Sequence, residues 1–139
     1  ASSENGEGAF LAMSKAVAEV DIQVTDIQYV NAHGTGTPDN DACESTALMR
    51  VFEHKLPKVS STKMYTGHTT SASGSIEAIY SILSLQHQFV PANIGWSKAD
   101  DSCVMPYVVG PFGRIDNVMC NSFGFGGNDS SIIISRYGE

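Results

Sequence analysis

Helical and strand-like segments alternate along this sequence. Apolar residues recur at helical spacing in three segments, residues 8–20, a stretch beginning at Pro38 and Asp39, and residues 76–88. Short β-rich runs lie between and after them, at 27–30, 58–62, 105–110, 117–122 and 130–135. Strands that alternate with helices favour parallel pairing, and the closing run of strands favours an antiparallel edge. We therefore expect an α/β fold, a mixed β-sheet flanked by helices, in which the last two strands form a hairpin.

Composition narrows the class of protein. A length of 139 residues is that of one domain, and the net charge of −7 with no cluster of Lys or Arg argues against a nucleic-acid partner. No apolar run approaches the roughly 20 residues of a membrane span, so we expect no membrane partner and a cytoplasmic location. We also expect residues 1–8 to be a linker or a vector-derived segment and 9–139 to form the domain.

Two stretches concentrate chemically capable side chains. His33 lies in NAHGTGT, where Gly34 and Gly36 allow a tight backbone beside a ligand and the threonines offer hydroxyls. Lys63 and His68 lie in SSTKMYTGH, and Glu77 follows in the next helix. A Lys63–Glu77 ion pair would place a fixed charge near His68 and favour its neutral form. The alternative is that Lys63 is a surface lysine and Glu77 an ordinary helical glutamate.

A third stretch, CNSFGFGG, interleaves aromatic rings with glycines. Phe123 and Phe125 alternate with Gly124, Gly126 and Gly127. Bulky rings on a glycine backbone indicate either a mobile gate or a strained, closely packed turn. All three stretches follow predicted strands, and sites in open α/β sheets form at the carboxyl ends of strands. We therefore expect His33, His68 and Phe125 at one end of the sheet.

These motifs, in this order, resemble the C-terminal half of elongating β-ketoacyl-(acyl carrier protein) synthases of the thiolase-like superfamily. The resemblance runs over nearly the whole chain and implies a decarboxylative Claisen condensation of malonyl–carrier protein with a cysteine-bound acyl chain. It implies acyl carrier protein and the N-terminal half of the same synthase as partners, and a homodimer. It implies no metal and no cofactor, since the substrates are carried on the phosphopantetheine of the carrier protein.

The resemblance also assigns roles to single residues. His33 and His68 correspond to the catalytic histidines that stabilise the enolate oxygen, and Lys63 to the lysine that polarises them. Glu77 is the expected partner of Lys63. Thr35 and Thr37 correspond to hydroxyls that hold the pantetheine arm. The gating loop corresponds to Gly124, Phe125, Gly126 and Gly127, with Phe123 as a supporting residue. Phe125 is the expected gate ring, and its backbone N–H is expected to serve the acyl oxyanion hole.

The nucleophilic cysteine of this family lies in the N-terminal half, so the chain is expected to be inactive alone. Cys43 falls in a predicted helix, Cys103 in a polar connection and Cys120 on a predicted strand, positions typical of packing. Two other functions remain open. The complete protein could be a non-catalytic, synthase-like partner such as a chain-length factor, or the chain could be a carrier-protein-binding module.

The first helix carries a further expectation. Thiolase-like folds pack two halves face to face, and this chain supplies one. We therefore expect the outer helix face formed by Phe10, Met13 and Val17 to lack its cover.

Overall fold

The computed structural model describes residues 6–34, 38–53, 55–63, 73–92, 113–123 and 129–137. Its helices are α1 (Glu7–Ala18), α2 (Pro38–Phe52) and α3 (Ser73–His87), with a short 3₁₀ turn at Val24–Asp26. Its strands are β1 (Tyr29–Asn31), β2 (Lys58–Ser60), β3 (Asn117–Phe123) and β4 (Asp129–Ser135). The predicted helices and four of the five predicted strands are confirmed, and the fifth, 105–110, lies outside the described residues. No helix in the described ranges is long and apolar enough to cross a membrane.

The four strands form one mixed sheet in the order β2-β1-β3-β4. Strand β1 is parallel to both β2 and β3, with Asn31 opposite Ser60 on one side and Cys120 on the other. Strands β3 and β4 are antiparallel, which confirms the predicted hairpin. Because β1, β2 and β3 run in the same direction, the segments that follow them emerge at one edge of the sheet.

Successive strand residues face opposite sides of the sheet, as the pleat requires. On one side, Val30 and Met119 pack with Met13 of α1 and Leu48 of α2 in one buried cluster. On the other side, Tyr29 and Val118 belong to a second cluster with Leu85 of α3, Val90 and Ile115. The sheet therefore lies between a layer of two helices and a layer of one, and the predicted α/β class is confirmed.

The expectation of an uncovered face on α1 is wrong. Met13 is fully buried, and Phe10 and Val17 pack against the same cluster, because α1 lies over β4 and beside α2. Three of the large apolar side chains that are exposed in the described residues lie on or just after α3: Ile79 at 57%, Ile82 at 42% and Phe89. Leu11 of α1 and Ile132 of β4 are exposed as well. The described part of the chain thus covers the face of α1 that carries Met13 and leaves Ile79 and Ile82 open on one face of α3.

Candidate active site

The candidate site lies at the edge of the sheet where β1, β2 and β3 end. His33 follows β1, Lys63 follows β2, and Phe123 is the last residue of β3. The parallel register of these strands brings the three residues to the same end of the sheet. The other residues predicted for the site lie outside the described residues: Thr35, Thr37, His68, Gly124, Phe125, Gly126 and Gly127.

His33 is buried and its ring is held by the neighbouring strand. The backbone N–H of Phe123 donates to Nδ1 of His33 at 3.3 Å, and the two rings lie 5.4 Å apart. Since Nδ1 accepts this bond, the proton of the neutral imidazole is on Nε2. The ring can therefore donate a hydrogen bond through Nε2 without carrying a positive charge.

Gly34 allows the backbone to turn immediately after His33. Its φ of 45° lies in the left-handed region, which side chains other than glycine rarely adopt. A Cβ at this position would lie 2.6 Å from Cβ of Ser61, in the segment after β2. The glycine of the HGTGT motif therefore lets the segments after β1 and β2 approach each other closely.

Lys63 and Glu77 form a buried ion pair. Nζ of Lys63 contacts Oε1 of Glu77, and the residues are only 6% and 1% exposed. The alternative interpretation, a surface lysine and an ordinary helical glutamate, is wrong, and the expected ion pair is present. Two buried charges of opposite sign are each tolerated because the other compensates for lost hydration.

Glu44 is a second buried carboxylate at this site, and it is not among the residues predicted from sequence. It accepts hydrogen bonds from the backbone N–H groups of His33 and Gly34, at 2.9 and 3.0 Å, and from Nδ2 of Asn121 at 3.2 Å. Burial raises the pKa of Glu44, while the Gly34 and His33 backbone donors act to lower it. A signal was available, because Glu44 lies at helical spacing from Ala47 and Leu48, on the apolar face of α2.

Cys120 does not have the properties of a nucleophile. Cys120 is buried on β3, and burial, followed by the charge of Glu77, raises the pKa of its thiol to about 12. Cys43 is half-buried on α2. Their predicted positions on a strand and in a helix are confirmed, and Cys103 lies outside the described residues.

Comparison with known proteins places this geometry in a family. Residues 1–97 match the family described as "Beta-ketoacyl synthase, C-terminal domain". The chain is 41% identical over 136 residues to 3-oxoacyl-[acyl-carrier-protein] synthase 1 of Haemophilus influenzae, covering 96% of this chain and 33% of that protein. The chain therefore spans about a third of the length of the curated relatives it matches.

Solved structures agree with the sequence comparison. The ishigamide ketosynthase/chain length factor is similar with a TM-score of 0.91 at 29% identity, over 96% of this chain and 34% of that one. The ketosynthase ApeO of Xenorhabdus doucetiae, in complex with its chain length factor ApeC, is similar with a TM-score of 0.86 at 35% identity, over 97% of this chain and 35% of that one. The chain has the thiolase-like ketosynthase fold and belongs to the β-ketoacyl synthase C-terminal domain family.

Proposed function

We propose that this chain is the C-terminal part of a 3-oxoacyl-(acyl carrier protein) synthase and supplies the groups that stabilise an enolate. The main support for this proposal is that His33 is buried and that its Nδ1 accepts a hydrogen bond from the Phe123 N–H. The buried Lys63–Glu77 pair lies at the same end of the sheet. A neutral, preorganised N–H donor in a water-poor site stabilises a developing oxyanion better than water does.

In the proposed reaction, malonyl–carrier protein loses carbon dioxide and the electron pair of the broken bond forms an enolate. His33 donates from Nε2 to the enolate oxygen, and His68 is proposed as the second donor. The enolate carbon then attacks the acyl thioester carbonyl, and the cysteine thiolate leaves. Lys63, balanced by Glu77, keeps positive charge near the histidines and so favours their neutral forms.

Other parts of the reaction are proposed from the family resemblance. Thr35 and Thr37 hold the phosphopantetheine arm of acyl carrier protein, and no further cofactor takes part. Phe123 and the glycine-rich segment Gly124, Phe125, Gly126 and Gly127 gate the acyl pocket, and the Phe125 N–H serves the acyl oxyanion hole. The reacting cysteine lies in the part of the synthase that this chain does not include, so the chain alone does not condense. The complete enzyme is proposed to be a cytoplasmic homodimer.

The open face of α3 supports contact with that missing part. Ile79 and Ile82 lie about one helical turn apart on α3 and are exposed, and Phe89, just after the helix, is exposed too. Contiguous exposed apolar side chains often mark an interface. The curated relatives are about three times as long as the chain they match. We therefore assign the α3 face to the N-terminal part of the same synthase.

The test compares the complete synthase with its His33→Ala and His68→Ala variants. Carbon dioxide release from malonyl–carrier protein and loading of a radiolabelled acyl chain are measured side by side. Loss of a preorganised oxyanion donor is expected to lower decarboxylation by about 10²–10³-fold. Acyl loading is expected to change little. Full condensation activity in both variants would refute the assignment of the histidines.

A second candidate is a non-catalytic chain-length-factor partner. It is favoured by two similar solved structures, the ishigamide ketosynthase/chain length factor and ApeO in complex with its chain length factor ApeC. The same assay separates the two functions, because a chain-length factor neither loads acyl chains nor condenses them by itself. The buried Lys63–Glu77 pair and the hydrogen-bonded His33 support the enzyme.

A further inference from the structure

Glu44 places a carboxylate directly against the backbone that carries His33. Its Oε2 accepts from the N–H of His33 and from Nδ2 of Asn121, and its Oε1 accepts from the N–H of Gly34. These three donors meet a side chain that, when ionised, only accepts. Asn121 is in turn held by Ser131 of β4, whose Oγ donates to Oδ1 of Asn121 at 2.8 Å.

The ring and the backbone of His33 are therefore fixed by different elements. Phe123 of β3 holds the ring, and Glu44 of α2 holds the peptide group. The bond from the Phe123 N–H to Nδ1 is 3.3 Å long, near the upper limit for an N–H donor. A small displacement of the His33 backbone would break it and release the ring.

We propose that Glu44 is a positioning residue for His33, and that Asn121 and Ser131 extend this support to strand β4. The consequence for catalysis rests on the proposed function, whereas the consequence for the His33 ring does not. With Glu44 in place, Nδ1 stays occupied and Nε2 stays the donor. Without it, the ring loses both its orientation and its fixed tautomer.

The experiment uses Glu44→Gln in the complete synthase, with Glu53→Gln as the matched control. Glu53 is an exposed glutamate immediately after the same helix. Glutamine keeps the shape of Glu44 but turns one oxygen into an NH₂ group, which would face an N–H donor. The first readout is the rate at which diethyl pyrocarbonate modifies His33, followed by peptide mass spectrometry. The second is the ratio of malonyl decarboxylation to acyl loading.

In Glu44→Gln, we expect several-fold faster modification of His33, because Nδ1 is freed from the Phe123 N–H. The decarboxylation-to-loading ratio should fall by about 10- to 100-fold, as expected for a misplaced catalytic group. The control should change neither readout. If modification and ratio both stay at the unmutated values, the proposal is overturned while the proposed function stands. If modification rises but the unmutated protein does not decarboxylate, the positioning role stands and the proposed function fails.

Folding is checked by near-ultraviolet circular dichroism. If Glu44→Gln does not fold, the positioning role of Glu44 is tested with Glu44→Asp and the same two readouts. Aspartate keeps the charge but is one methylene shorter, so it cannot reach both backbone N–H groups as Glu44 does. In Glu44→Asp, faster modification of His33 together with a lower ratio of decarboxylation to acyl loading supports the proposal. Unchanged values of both readouts overturn it.

Discussion

The backbone N–H of Phe123 points at Nδ1 of His33, 3.3 Å away, and the two rings are inclined at 51°. This contact joins the end of β3 to the second residue after the end of β1, and it exists because the two strands run parallel as neighbours. Since a backbone N–H can only donate, Nδ1 must be the unprotonated, accepting nitrogen of the ring, and Nε2 carries the proton. The sheet register therefore determines the chemistry available at His33.

Removing one partner of the Lys63–Glu77 pair should destabilise the protein strongly. Lys63→Met leaves Glu77 buried without its cation, and a broken buried pair typically costs about 3–5 kcal/mol of unfolding free energy. Replacing both residues, as in Lys63→Met with Glu77→Gln, should recover much of this loss because no buried charge remains. Urea unfolding of the complete synthase measures the stability loss in Lys63→Met and its recovery in the double variant. Equal stability of Lys63→Met and the unmutated protein would contradict the burial of this pair.

Glu44 should make stability depend on pH in a defined direction. Burial raises the pKa of Glu44 above its ordinary value of 4.5, so the folded protein holds this proton after the unfolded chain has released it. As pH rises from about 4.5 through the folded pKa, the unfolded state binds fewer protons and this contribution to stability is lost. Compared with the unmutated protein, Glu44→Gln should lack this decline. Urea midpoints measured across that range for both proteins check it, and parallel curves would contradict it.

Cys120 should be unreactive in the folded protein. Burial raises the pKa of its thiol from 9.0 to about 12, and the thiolate is the reacting form. At pH 8 this lowers the thiolate fraction by about 10³-fold relative to an ordinary cysteine. Iodoacetamide labelling followed by peptide mass spectrometry should therefore modify Cys120 only after denaturation. Rapid labelling of Cys120 under native conditions would show that it is not buried as described.

The open face of α3 should make the isolated 139-residue chain prone to self-association. We expect it to self-associate or to bind a hydrophobic dye, and we expect Ile79→Lys with Ile82→Lys to weaken both effects. Leu11→Lys is the matched control, since Leu11 is equally exposed but lies on α1. Sedimentation and dye fluorescence provide the measurements. A compact monomer that binds no dye would remove the support for an interface on α3.

Local patterns were sufficient to predict the elements of this fold. Helical spacing identified all three described helices, and β-rich runs bounded by turn residues identified β1 to β4 within a few residues. The sequence pattern predicts β1 at 27–30, and the strand lies at Tyr29–Asn31; this shift is expected because strand ends depend on pairing. The positions of His33 and Lys63 after strands also followed from local sequence.

The contacts between distant segments follow from the strand order and the packing of the helices on the sheet. Helical spacing places Glu44 on the apolar face of α2, but the roles of Glu44 and Asn121 do not follow from it, because α2, β1 and β3 must first be brought together by the strand order. The buried face of α1 was misjudged for the same reason, since the periodicity of a helix identifies an apolar face but not what covers it. Local sequence patterns identify His33, Lys63 and Glu77 as candidates for the chemistry. Only the packing of the sheet and its helices determined which of them are desolvated and hydrogen-bonded, because burial depends on segments far apart along the chain.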